Sequence, residues 1–472
     1  MDYALLVGVT LVTGVTLAIV AQWRAWRPTL LLALTVGIGI RVLIMAFAAA
    51  DTWQPVDFEE SFKPAGEAIL NREDPVLASE EGWHFLPTIP YMYGLLLWLG
   101  IPWEIAGRLV TVAADVALIP LVGKLAGGPD GRLRAFQYAC NPLGILVAAV
   151  HGQVEPVALA FGVAAFVVAR GPGDPHREGL TGTFRDLYRH ATEQIATHGL
   201  RGFLRRSLAP HPGATRRAVY AGLLMGLALC AKSWPIWLIP GMLLLLPGVR
   251  ARLAALVATA VPPIFFLVTL PVFAGTRIDQ IPLVIAAIRH IRPIIGEWGW
   301  TAIALCWQDR CGAWTLDAGL ASVGTTLIYI TLLVVAFLWR RADPVDLTTA
   351  MLLAFMVVTP RLGAQYLLWF MPFLVARPTR FAWPVIIGCS TWAAVGYLYL
   401  TQWEDHEWWI RHTPWAMSSV VLLPLLVAAM PWNRRVSGPP RNAAVPEGDA
   451  SPPGTPESPP RRPAASSDRP AG

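Results

Sequence analysis

The sequence predicts an all-α protein, a polytopic transmembrane helix bundle, and three observations predict it. Hydrophobic residues make up 55% of the 472 residues, charged residues only 14%, and mean hydropathy is +0.50. Apolar runs long enough to cross about 30 Å of hydrocarbon recur along most of the chain. Lys and Arg collect in alternate loops, the pattern of a chain that keeps its positive charge in the cytoplasm. A soluble chain of this length needs far more charge to cover its surface. The net charge of +6 therefore reads as orientation signal and membrane-lipid contact, with no nucleic-acid partner implied.

Taken in order, the first apolar stretch (3–21) follows Asp2 and has no basic segment in front and no small-residue cleavage site. It reads as a retained span and not a signal peptide. The basic loops are Arg24/Arg27, Lys124/Arg132/Arg134, 170–217, Arg250/Arg252, Arg340/Arg341, Arg377/Arg380 and Arg434/Arg435. Assigning them to the cytoplasm puts the N-terminus outside and the C-terminus inside. It also turns 138–170 and 218–248 into hairpins, kinked at His151-Gly152-Gln153-Val154-Glu155-Pro156 and at Lys232-Ser233-Trp234-Pro235. The outer face then carries 50–102, the two kinks, 274–315, 359–366 and 400–415. About 13 spans are expected on this reading. Residues 86–100 fit either a full span or a half-helix on the outer leaflet.

Two segments read as non-spanning. In the basic cytoplasmic insert 171–217, Phe184, Leu187, Tyr188, Ala191 and Ile195 form one helical stripe, as in a surface-lying amphipathic helix. The Pro-rich tail 436–472 lacks apolar periodicity and is expected to be disordered, leaving 1–435 as one transmembrane domain. Cys140, Cys230 and Cys389 lie in apolar runs and read as packing residues. Cys306 and Cys311 fall in an outer segment, where a disulfide is permitted but spacing alone does not decide it.

The segment that points to chemistry is the first large outer loop. From Asp57 to the residue before Pro75, Phe58, Phe62, Ala65, Ile69 and Leu70 share one face at helical spacing. This predicts an amphipathic helix along the membrane surface, holding a carboxylate at the water–lipid boundary. Asp57-x-x-Glu60 can equally be a capping box that opens the helix. Asp51 and Asp74 are the other acids in reach.

A set of motifs occurs here in order: Arg41, then Asp57-Phe58-Glu59-Glu60-Ser61-Phe62, Glu73-Asp74-Pro75 and His84-Phe85-Leu86-Pro87. Asn141-Pro142, Gly152-Gln153, Ala221-Gly222 through Lys232 and Pro235, and Pro360-Arg361 with Gln365-Tyr366 and Pro372 follow. Over residues 30–430 the chain resembles the GT-C superfamily of polyprenyl-phosphate-sugar-dependent glycosyltransferases. Within it, the chain is most similar to the bacterial mannosyl- and arabinofuranosyltransferases of glycosyltransferase family 87. It departs from that pattern at Phe62, where a Tyr is usual, at Asn71-Arg72, where a Gly is usual, and in the extra span 3–21.

The resemblance implies transfer with inversion, from a polyprenyl-phosphate sugar donor to a cell-envelope glycan or glycolipid acceptor, at the outer face of a bacterial inner membrane. Asp57 is the implied base, and developing phosphate charge calls for cationic donors. Lys232, Arg361, Arg41 and the pair Arg289/Arg292 are the candidates. Each has a plainer reading: Lys232 paired with Glu155, Arg41 paired with Asp115, and solvated loop cations for the rest. His151, Gln153 and Glu155 can bind acceptor sugar or a divalent cation, or simply form a polar turn; two ligands do not define a metal site. Trp403, Trp408, Trp409 and Trp415 fit an interfacial aromatic belt better than a sugar platform. The competing class is a transporter or flippase for a lipid-linked substrate, which broken helices with ionisable groups would favour.

Overall fold

A computed structural model describes residues 3–79, 82–171, 180–207, 213–290, 293–296, 298–311, 315–403 and 405–434. The expected disordered tail lies outside the described residues. The chain is an all-α bundle, and the one β element among the described residues is a two-residue ladder pairing Ile294 with Leu316 and Ile295 with Thr315.

Among the described residues, seven helices are long and apolar enough to cross a membrane: Tyr3–Trp23, Leu30–Ala50, Trp103–Ala126, Gly248–Phe273, Ala318–Leu338, Ala382–Gln402 and Ile410–Arg434. An eighth is made by Gly131–Ala139 with Pro142–His151, bent by 47° where Asn141 caps the second piece. The expected count of about 13 is therefore not reached by full-length helices. Val257, Val268 and Val272 on one helix and Leu333 and Phe337 on another are exposed, as side chains solvated by lipid tails would be. Thr88–Trp98 has 11 residues, about 16 Å of helix, and is half of a span at most.

The two expected hairpins are present, and several apolar helices, Trp234–Leu244, Pro344–Val358 and Ala364–Ala376, are shorter than a full span. Leu146–His151 ends at Gly152, and a new helix runs Glu155–Arg170. Ala214–Ala231 ends at Lys232, followed by a 3-10 turn, Trp234–Leu238. The first hairpin is buried on almost every side and forms the centre of the bundle. Gly152 has φ +74°, and a Cβ there would meet the Phe58 ring at 2.8 Å. The break thus needs glycine both for its left-handed backbone and for the close approach of the outer-loop helix.

Two helices connect two polar centres. Glu155–Arg170 and Pro344–Val358 each have one end in a network of Arg and Asp and the other beside a large cavity. Ala214–Ala231 runs with them, its Arg217 donating to the Arg170 carbonyl at 3.5 Å. In the network, Arg170 and Arg377 meet Asp343 at 2.9 and 3.1 Å, while Arg377 and Arg434 meet Asp346 at 2.7 and 3.2 Å. By helical rise the two centres lie roughly 24 Å apart. The network comes from loops assigned to the cytoplasm and the cavity from loops assigned to the outside, so the charge pattern sorts them correctly into two groups.

In the insert, the helix Leu180–Ser207 kinks at Gly199. Phe184, Tyr188 and Ile195 of the expected stripe stay exposed. Cys306 and Cys311 form a disulfide, and Cys140, Cys230 and Cys389 are free and buried.

Candidate functional site

The cavity has a volume of about 610 Å³ and is mostly apolar. Every segment assigned to the outer face contributes to it: Trp53 to Phe62, Gly82 to Phe85, His151 and Gln153, Lys232, Ile294, Arg361 to Tyr366, and Leu400 to Ala416.

Asp57 opens a π-helical turn, Asp57–Phe62, that continues as Lys63–Leu70. Phe58, Phe62 and Ala65 are buried as the periodicity requires, whereas Leu70 is exposed. Their face packs on protein and not on a lipid surface: Phe58 meets Trp103 at 4.6 Å, and Phe62 meets Trp83 at 5.6 Å. The guanidinium of Arg108 sits 4.3 Å from the centre of the Phe58 ring. It also donates to Gln54 at 2.6 Å and to the Val150 carbonyl at 3.0 Å, tying the loop to the central hairpin. Arg108, a lone cation in an apolar run, carries the same signal that singled out Arg41.

The capping-box reading of Asp57 is overturned. The Pro55 carbonyl already accepts from Phe58 and Glu59, so the helix starts before Asp57, and no side chain caps it. The Asp57 carboxylate instead accepts from Gln153 Nε2 at 2.7 Å. Gln153 Nε2 lies 3.4 Å from His151 Nε2, and His151 Nδ1 lies 2.8 Å from the Tyr397 hydroxyl. Asp57 itself is exposed to the cavity while Gln153 and His151 are buried. Asp74 serves as the cap of Pro75–Ala78: it accepts from Val76 and Leu77 and from the Thr276 hydroxyl at 2.6 Å, buried and away from the cavity. Asp51 accepts from Trp53 N at 3.3 Å and does not line the cavity.

Lys232 and Arg361 line the cavity. Lys232 Nζ is 3.2 Å from Glu155 Oε1 and 4.6 Å from the centre of the Phe85 ring. Glu155 is fully buried behind it and is not a cavity residue, so its expected substrate contact gives way to holding Lys232. His84 keeps an exposed edge. The protein packed around it nevertheless pushes its pKa down to about 4, with Lys232 and Arg361 adding to the effect and the Gly82 carbonyl and Asp57 opposing it.

Arg41 is corrected from substrate ligand to structural residue. It is fully buried, with Nε and Nη2 both 2.7 Å from Asp115 Oδ2 and Nη1 donating to the Gly37 and Ala139 carbonyls. Tyr138 donates to the other Asp115 oxygen at 2.7 Å. Arg289 is exposed at the end of Ile281–Arg289 and does not line the cavity; Arg292 lies outside the described residues. Among the described residues no three His, Cys, Asp or Glu side chains converge on a metal position.

No family model, curated protein or solved structure matches this chain. Its site is therefore read from its own geometry. That geometry also contains residues the sequence did not single out: Trp392, Tyr397 and His412 line the cavity, together with Trp408 and Trp415, which had read as an interfacial belt. An aromatic side chain in an apolar run gives no sign of whether it faces lipid, core or cavity.

Proposed function

We propose that this protein is a membrane glycosyltransferase that moves a sugar, mannose or arabinofuranose, from a polyprenyl-phosphate donor to a cell-envelope glycan or glycolipid. The observation that carries the proposal is the convergence of an oriented carboxylate, Asp57, with two cations, Lys232 and Arg361, in one large and mostly apolar cavity. The ordered resemblance to GT-C enzymes supports the same reading.

In the proposed reaction Asp57 takes the proton of an acceptor hydroxyl as that oxygen attacks the anomeric carbon. The bond from this carbon to the phosphate oxygen breaks on the opposite face, so the configuration inverts. The electron pair leaves with the polyprenyl phosphate, whose growing charge Lys232 and Arg361 stabilise. Gln153 holds the carboxylate in place, and Glu155 holds Lys232. The site would lie at the outer face of a bacterial inner membrane. The disulfide in an outer segment agrees with that side, where oxidation is permitted.

The helix breaks at Gly152 and Lys232, with a buried Lys–Glu pair between them, are what favours the flippase alternative. Purified protein in liposomes, supplied with a panel of radiolabelled polyprenyl-phosphate sugars and envelope glycolipid, separates the two. The proposal predicts a labelled product of inverted anomeric configuration. No transfer from any donor, with labelled lipid crossing between leaflets, would establish the flippase instead.

A further inference from the structure

Trp392 and Trp415 stack with ring centres 4.2 Å apart and nearly parallel planes. Each indole N–H donates to the backbone carbonyl of the other, at 3.0 and 2.9 Å, so the pair is locked. His412 follows at 5.3 Å from Trp415, and Trp408 stacks on His412 at 4.2 Å. All four rings line the cavity and form one aromatic ladder.

The ladder is joined to Asp57 through a chain of intervening residues. A Cβ on Gly396 would lie 2.6 Å from the Trp415 ring, and the following residue is Tyr397, whose hydroxyl starts the chain through His151 and Gln153 to Asp57. Lys232 packs on Phe85, and the two cations line the same cavity as Asp57. In an inverting transfer the acceptor lies with the base and the phosphate lies opposite. Beside Asp57, the buried Gln153 Oε1 has no hydrogen-bond partner among the described residues, although burial of a bare amide oxygen is costly.

We infer that the ladder Trp392–Trp415–His412–Trp408 and Gln153 Oε1 form the acceptor subsite, and that the acceptor presents a carbohydrate ring there. A sugar ring has apolar C–H faces that suit flat aromatic surfaces, and rim hydroxyls that suit an unpaired carbonyl. A peptide hydroxyl or an acyclic lipid headgroup such as phosphoethanolamine has no such face. The inference deepens the glycosyltransferase reading and rests on it.

Full-length protein in nanodiscs, probed by saturation-transfer NMR with methyl glycosides of mannose, glucose, galactose and arabinofuranose, tests it. The expected result is contact concentrated on the ring-face C–H protons of at least one glycoside. Trp408→Leu should weaken that binding about tenfold, and Trp408→Phe, which keeps a stacking ring, should retain most of it. Absent or uniform contact with the wild-type protein, or a folded Trp408→Leu that binds as tightly as wild type, overturns the subsite. Binding needs neither donor nor turnover. Trp408-dependent glycoside binding without transfer from any donor would therefore support the carbohydrate subsite and overturn the transferase reading alone.

Discussion

Among the described residues, the Asp57 carboxylate is oriented by one side-chain donor, Gln153, from a helix break elsewhere in the chain. Polar residues placed where an apolar chain bears the cost of them mark themselves, as His151, Gln153 and Lys232 do, whereas Asp57 and Arg361 stand out by their place in outer loops and by the resemblance. Arg41 carried the same mark for a different reason: it satisfies Asp115 within the bundle. Both plainer pairings read from the sequence, Arg41 with Asp115 and Lys232 with Glu155, are present. His84 was readable only as part of a motif, and its environment makes a testable difference. Its folded pKa of about 4 lies below the ordinary value, so on acidification the unfolded chain takes up a proton that the folded chain refuses. Stability should therefore fall as pH drops from about 6.5 toward 4. Thermal midpoints across that range should decline less steeply for His84→Gln than for wild type; parallel slopes would remove His84 from the balance.

The amphipathic helix after Asp57 was predicted from periodicity alone, and its buried face matches at Phe58, Phe62 and Ala65. Periodicity could not say what covers that face. Its cover is Trp83, Trp103 and Arg108, which join the outer loop to the central hairpin. The capping box failed because capping depends on where the backbone turns, and Pro55 begins that turn earlier. Between elements, the Arg41–Asp115 pair joins Leu30–Ala50 to Trp103–Ala126. Asp115→Leu would strand a buried guanidinium at a cost of about 3–5 kcal/mol. The double variant Arg41→Met/Asp115→Leu should recover most of that loss, because it removes both charges. Thermal unfolding in nanodiscs checks both; a single variant as stable as wild type would contradict the structural role.

At the scale of the whole molecule, the distribution of Lys and Arg groups six segments on one side, and all six contribute to the cavity. The number of spans was less readable. The turns at Gly152 and Lys232-Ser233 fall where the sequence put them, but Trp234–Leu244, Pro344–Val358 and Ala364–Ala376 are apolar helices too short for a full crossing. The two ends of the bundle can be assigned to their sides of the membrane by cysteine labelling, with little background from buried or disulfide-bonded native thiols. Glu60→Cys should react with a membrane-impermeant maleimide in intact cells, and Arg341→Cys only after permeabilisation. The reverse pattern would put the cavity in the cytoplasm and remove the supply of an external acceptor.

The central claim is that Asp57 is the base of a sugar transfer. Its most direct test is the liposome assay with Asp57→Asn, read together with binding of the donor. Donor binding should survive the substitution while transfer falls by at least about a hundredfold. Transfer near the wild-type rate in the Asp57→Asn protein would contradict it.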